Sequence, residues 1–260
     1  MKKNRLIPVL LLKNGWLVQS KGFSRYQNLG NPITAVKRLS EWGSDELIYL
    51  DISKDEEYDT RRDDQNYPNR NTFLEIINDV SKATFMPITI GGKINSIEDI
   101  EKRLNLGADK ISINTKAIKD LEFINESALE FGSQCIVVSI DAKLYMDNYF
   151  VYDNSISSIT ELPVFDFVKQ VENIGAGEIL LNSMDQDGTG QGFDLDVINR
   201  IGDIKNTSLI ISGGAGRVDH FSEALILDYD AASTANLFNF IGDGLRCSRE
   251  DLMAKKINIP

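Results

Sequence analysis

The chain has 260 residues, 42% of them hydrophobic and 26% charged, with a net charge of −11. That length suits two small domains or one α/β barrel, which takes about 250 residues, and the composition supports a sizeable core. The acidic balance excludes a basic grip on nucleic acid or on an anionic membrane surface. Anionic small molecules stay open, because backbone amides and a few lysines bind phosphate locally. Met1-Lys2-Lys3 leads only into a short apolar strand, which reads as neither signal peptide nor membrane span. Cys135 and Cys247 lie far apart without metal-ligand spacing, so a reducing cytoplasm is expected, with no disulfide framework, metal or cofactor. The single histidine, His220, falls on a predicted helix and is expected to have a surface or packing role.

Apolar strands alternate with amphipathic helices along the whole chain. The strands are predicted near 6–12, 47–51, 88–91, 110–113, 136–141, 178–182, 209–212 and 230–233. Helix starts are marked by Asn31-Pro32, Asn71-Thr72, Asn95-Ser96, Asp120, Leu162-Pro163 and Asp194. Such alternation implies right-handed parallel βαβ units, and eight of them fit a closed (β/α)8 barrel better than an open sheet. No linker divides the chain, so residues 1–260 read as one domain. The chain also repeats itself. Residues 43–51 match 175–182, Ile88-Thr89-Ile90-Gly91-Gly92 matches 209–214, and the strand ending at Leu11 matches the one ending at Asp141. Two half-barrels related by a pseudo-twofold axis are expected. Three long loops, 14–31, 53–69 and 143–160, suggest lids or binding loops, the last with a hairpin around Asp147-Asn148.

Chemistry is expected at the C-terminal ends of the strands. Asp141 closes an apolar strand and suits general acid–base work, and Asp187 before Gly188 suits either that or turn capping. Gly91-Gly92 and Gly213-Gly214 let backbone amides approach an anion, and Asn114-Thr115 and Ala235-Asn236 each precede a helical segment. Duplication of this arrangement points to a substrate with a phosphate at each end. Arg5, Glu46, Lys110 and Glu178 open strands at the opposite face, where position alone reads them as a stability ring.

The stretches DELIYLD at 45–51, GADKISINT at 107–115, FGSQCIVVSIDAK at 131–143, GAGEILLNSMDQDGTGQGFD at 175–194 and SGGAGRVDHF at 212–221 resemble the HisF family. This is the cyclase subunit family of imidazole glycerol phosphate synthase, and the similarity covers nearly the whole chain. The resemblance implies a duplicated half-barrel that takes ammonia from a HisH-like glutaminase docked on its bottom face. Ammonia would pass up the barrel to a phosphorylated substrate, a ribulosyl bisphosphate in the family. By position, Asp141 would be one of two catalytic aspartates. Gly91, Gly92, Asn114, Thr115, Asp187, Gly188, Gly213, Gly214, Ala235 and Asn236 would line the substrate's phosphate sites. Arg5, Glu46, Lys110 and Glu178 would form the ammonia gate, and Asp109 would face the glutaminase.

The sequence departs from the family at the top face. Leu11 stands where the other catalytic aspartate belongs, Lys93 replaces a loop glycine, Gln19 a loop lysine and Asn236 a serine, with Asp228 nearby in place of a glycine. Losing a general acid or base costs about 10²–10⁴ in rate. Leu11 and its neighbours are similar to paralogues of the WbuZ type, which accompany a glutaminase and an amidotransferase. Those convert an acetamido sugar of a surface polysaccharide into an acetamidino sugar. The resemblance therefore implies ammonia delivery for amidation of a nucleotide-linked sugar, with histidine-pathway cyclisation or a non-catalytic ammonia conduit as alternatives.

Overall fold

The computed structural model of the protein describes residues 3–260 apart from 56, 59–69, 203, 205, 228, 241 and 242. Asp228 and most of the charged stretch 53–69 therefore lie outside the described residues. Eight parallel strands close into a barrel: Arg5–Lys13, Leu47–Asp51, Ile88–Gly91, Lys110–Ile113, Ile136–Tyr145, Glu178–Ser183, Ser208–Ser212 and Ala231–Thr234. The eighth pairs with the first in the register Arg5↔Ala231, which closes the ring. This is the expected (β/α)8 architecture.

The strands are apolar on both sides because both sides are covered. Leu6, Leu10, Tyr49, Ile90, Ile111 and Val138 pack outward against the helices. Ile7, Val9, Ile48, Val137, Leu180 and Ile210 point inward and fill the bore. The helices begin where the polar caps stop them fraying. Asn31 Oδ1 accepts from Ile33 and Thr34 ahead of Pro32–Glu41, and Ser96 and Asp99 form a reciprocal capping box on Ile97–Asn105. Asp194 Oδ1 accepts from Val197 N at the start of Leu195–Ile201.

Two connections carry more structure than their sequences suggest. Residues 14–31, expected as a loop, form an antiparallel hairpin, Trp16–Lys21 with Arg25–Gly30, that extends the first barrel strand through Leu11↔Val18. Gln19, Ser20, Gln27 and Asn28 blur its alternation. The pairing is set by docking on a strand already in place, with Leu17 and Val18 buried. The hairpin expected around Asp147-Asn148 is present. The fifth barrel strand runs on to Tyr145, turns at Met146-Asp147 with both φ positive (46° and 61°), and pairs with Asn148–Asp153. A third strand, Ser158–Pro163, was not foreseen.

Candidate active site

At the N-terminal end of the bore four charges form a closed alternating ring. Arg5 lies 2.7 Å from Glu46 and 2.8 Å from Glu178, and Lys110 lies 2.8 Å from Glu46 and 3.0 Å from Glu178. Thr89 Oγ1 donates to Glu46 and Arg5 Nη2 donates to Ser208 Oγ, both at 3.2 Å. Burial works against the Arg5 charge, but Glu178 and Glu46 hold its guanidinium above its ordinary range. Position alone reads these charges as a stability ring. The bond network joins five strands and, through Glu46, the start of a sixth, so the ring contributes to structure in any case.

At the other end the strands open onto a cavity of about 1120 Å³. Asn114, Thr115, Asp141, Asp187, Gly188, Gly213, Gly214, Ala235 and Asn236 all reach its wall, as does Gly92. Gly91 does not; it ends the third strand, where a Cβ would stand 2.6 Å from Leu50 Cδ2. Leu11 lines the same cavity and packs on the apolar bore below it.

Asp141 is buried and held by three amides. Asn114 Nδ2 and Asn154 Nδ2 donate to Oδ2 at 3.1 and 2.6 Å, and Asn182 Nδ2 donates to Oδ1 at 3.1 Å. Burial pushes the carboxyl up to about 6, against the pull of Asn182, Asn154 and Asn114, with Asp187 adding to the rise. A carboxyl poised there can both give and take a proton near neutral pH. Asn114 also donates to Ser139 O at 3.0 Å, so its amide holds the fifth strand instead of reaching towards a phosphate.

Asp187 does not cap its own turn. Its Oδ2 accepts from Ser20 Oγ at 2.9 Å and from Phe23 N at 3.3 Å, which ties the Trp16–Gly30 hairpin over the cavity. Burial raises its pKa, while Ser20, Phe23 and Gly22 oppose the rise. The hairpin carries Tyr26, whose ring lies 3.7 Å from Lys13 Nζ and whose hydroxyl pKa is raised by burial, Asp187 and Asp141.

The two glycine loops are related by the repeat but not identical. Gly92 (φ +111°) closes on the second strand, where a Cβ would lie 2.3 Å from Asp51 O. Gly213 (φ +93°) closes on the sixth strand in the same way, where a Cβ would lie 2.6 Å from Ser183 O. The following position is Lys93 (φ 55°) in one half and Gly214 (φ +99°) in the other. The sequence match of Gly91-Gly92 with Gly213-Gly214 is thus one residue out of step.

Asn154, Asp51 and Tyr26 were missed in sequence. Asn154 and Tyr26 sit in hairpins with no motif around them. Asn182 and Asp51 lie at the ends of repeat-matched strands, but Asn182 falls on Leu50 and Asp51 on Ser183, so the repeat marks neither. His220 is buried, and its Nδ1 accepts from Gly216 N at 3.2 Å beneath the second glycine loop, so its role is packing and not surface. Asp109 is exposed beside the ring, with Oδ2 accepting from Ile88 N at 2.8 Å. Asp230, at the repeat-related position, accepts from Leu209 N at 2.6 Å. Asp109 therefore has a framework bond of its own.

Residues 5–241 match the family described as "Histidine biosynthesis protein". The chain is 42% identical over 241 residues to the imidazole glycerol phosphate synthase subunit HisF of Flavobacterium psychrophilum, covering 92% of each chain. It is 38% identical to the subunit of that name from Campylobacter concisus, over 98% of this chain and 97% of that one. The subunit of that name from a Hydrogenobaculum species is 40% identical over 100% of this chain and 94% of its own. Among the described residues no helix is long and apolar enough to cross a membrane.

Proposed function

This chain belongs to the histidine biosynthesis protein family as a HisF-type subunit, and from that premise we propose that it is the synthase subunit of a glutamine amidotransferase complex. A HisH-like glutaminase docks on the ring face, with Asp109 at the contact, and ammonia passes through the bore to an acceptor beside Asp141. The observation that carries this reading is the alignment of the parts. A four-charge ring sits below an apolar bore, and the bore opens onto a cavity whose wall carries the buried Asp141 carboxyl, its pKa raised to about 6. An apolar bore admits neutral ammonia and rejects ammonium, because burying an unpaired charge is costly. We take residues 1–260 as one barrel domain working in the cytoplasm.

The acceptor we propose is a nucleotide-linked sugar of a surface polysaccharide, whose acetamido group becomes acetamidino with an amidotransferase as third component. Leu11 supports this choice. It places a group with no exchangeable proton on the cavity wall where the repeat would supply a partner carboxylate for Asp141. A second reading, histidine-pathway cyclisation, is favoured by the Asp141 carboxyl at about 6, which suits proton transfer without a partner. In both, Gly92, Thr115, Gly188, Gly213, Gly214, Ala235 and Asn236 bind the substrate's phosphate-bearing parts, and no cofactor or metal takes part.

Reconstitution with the glutaminase decides between them. Glutamine-dependent turnover of the ribulosyl bisphosphate substrate should be slower by about 10²–10⁴ than general acid–base catalysis provides, and recover in Leu11→Asp. Turnover at ordinary rates without that substitution would establish the cyclase. Product formation untouched by Asp141→Asn would leave the barrel as a conduit only.

A further inference from the structure

The half-barrel repeat that matches Leu11 with Asp141 also matches Lys13 with Lys143. The strand pairing keeps this match, since Leu12↔Asp51 joins the first and second strands as Ala142↔Ser183 joins the fifth and sixth. Ser53 and Asp185, each two residues beyond those partners, therefore share one repeat position. Each accepts the backbone N–H that follows its lysine. Leu144 N donates to Asp185 Oδ2 at 2.8 Å, and Asn14 N donates to Ser53 Oγ at 2.7 Å. This framework bond is common to both halves, but the charge is not. Asp185 also pairs with the Lys143 ammonium, whereas Ser53 has no charge to offer Lys13 and donates its own proton to Asp51.

Lys13 is half-buried on the cavity wall, on the strand face it shares with Val9 and Leu11, while Lys143 is not part of that wall. Among the described residues no carboxylate pairs with the Lys13 ammonium, which rests against the Tyr26 ring at 3.7 Å. The buried carboxylates of the wall are engaged elsewhere. Asp51 pairs with Lys93 at 3.3 Å, Asp187 holds the hairpin, and Asp141 is held by three amides. An aromatic face offsets only part of the hydration that a half-buried ammonium gives up. An anion is the group this position lacks, and a hydrogen bond from an ammonium to a phosphate oxygen is stronger than one between neutral groups.

We propose that Lys13 is an anion-binding residue of the cavity and takes a phosphate group of the ligand. The hydroxyl of Ser53, standing where the other half has a carboxylate, leaves it free to do so. Lys13 adds a full positive charge to the neutral backbone donors of the glycine loops. The proposal rests on the reading above that the cavity binds a phosphorylated, sugar-like acceptor, and gives that reading a residue it does not otherwise use.

Titration calorimetry with a pentulose bisphosphate tests it, on the full chain and on Lys13→Met, Lys13→Arg and Lys143→Met, at about 20 mM and about 500 mM salt. Methionine keeps most of the side chain's length and apolar contact and removes the charge. At low salt Lys13→Met should bind about tenfold or more weakly than the unaltered chain, and Lys13→Arg within about threefold of it. At high salt, where charge is screened, the Lys13→Met deficit should shrink by about threefold or more. Lys143→Met, whose lysine is already neutralised, should stay within about threefold of the unaltered chain. Undiminished binding by Lys13→Met overturns the proposal. So does a deficit shared by Lys13→Arg, which keeps the charge, or one that high salt leaves unchanged, which would mark lost packing on Tyr26. An equal deficit in Lys143→Met overturns it too, because a charge outside the cavity would then serve as well. If the unaltered chain does not bind the compound, the reading of the cavity as a sugar-phosphate site fails, and the proposal falls with it. Binding that ignores Lys13 leaves that reading standing.

Discussion

Asn182 and Asp141 stand in register on neighbouring barrel strands, and the amide of the first donates to the carboxylate of the second at 3.1 Å. This bond, with those of Asn154 and Asn114, keeps a buried acid from being driven further above its ordinary value. The carboxylate is thus supported by neutral donors with no cation among them. It titrates near neutrality because burial slightly outweighs that support.

The pH dependence follows from the sign of the shift. Asp141 binds its proton more tightly folded than unfolded, so its ionisation weakens the fold as pH rises from its ordinary value of 3.8 through about 6. The penalty at neutral pH is roughly 3 kcal/mol by the size of the shift. Activity needing the carboxylate should fall below about pH 6. Removing a donor that lowers the pKa raises it, so Asn182→Ala should move this acidic limb to higher pH. A pH–rate profile of both proteins checks the direction; an unmoved limb would detach Asp141 from the rate-limiting proton transfer.

Leu11→Asp should cost about 1 kcal/mol of stability, since a half-buried leucine loses its packing on the bore. It should also raise cyclisation of a ribulosyl bisphosphate by about tenfold or more, by supplying a second acid–base group. Chemical denaturation and steady-state turnover measure the two effects separately.

Glu46 touches both cations of the ring, and its side chain is only 4% exposed. Glu46→Gln leaves Arg5 and Lys110 facing Glu178 alone, which should destabilise the barrel by about 3 kcal/mol. Ammonia added from bulk and ammonia produced from glutamine should then support turnover in a different ratio from that of the unaltered complex. An unchanged ratio, with only the stability lost, would return the ring to a purely structural role.

Asp187→Ala removes the acceptor of Ser20 Oγ and Phe23 N. Amide exchange across residues 16–30 should speed up by about tenfold or more, because the hairpin loses both side-chain anchors and keeps its pairing with the first strand and the bonds of Gly22 N to Asp187 O and of Asn236 Nδ2 to Ser20 O. Exchange rates in the barrel strands should stay as they are. Acceleration throughout the chain would show that Asp187 holds the fold together as well as the lid.

Much of this molecule is written in local pattern. Continuous apolar runs between capped amphipathic helices can be buried only as parallel strands covered on both faces, so the barrel and its eight strand positions followed from periodicity alone. Asp141 was marked by standing at the end of such a run, and Leu11 by its repeat-related place. Tertiary structure decided what surrounds them. Asn154 reaches Asp141 from a hairpin distant from any motif, and Ser20 reaches Asp187 across 167 positions of sequence. The Lys93–Asp51 pair and the closed ring of Arg5, Glu46, Lys110 and Glu178 likewise arise only when strands far apart in the chain meet. Sequence pattern reports which face of an element is buried, because burial repeats with the element's own period. It carries no record of which polar group will lie opposite, because that depends on the closure of the whole barrel.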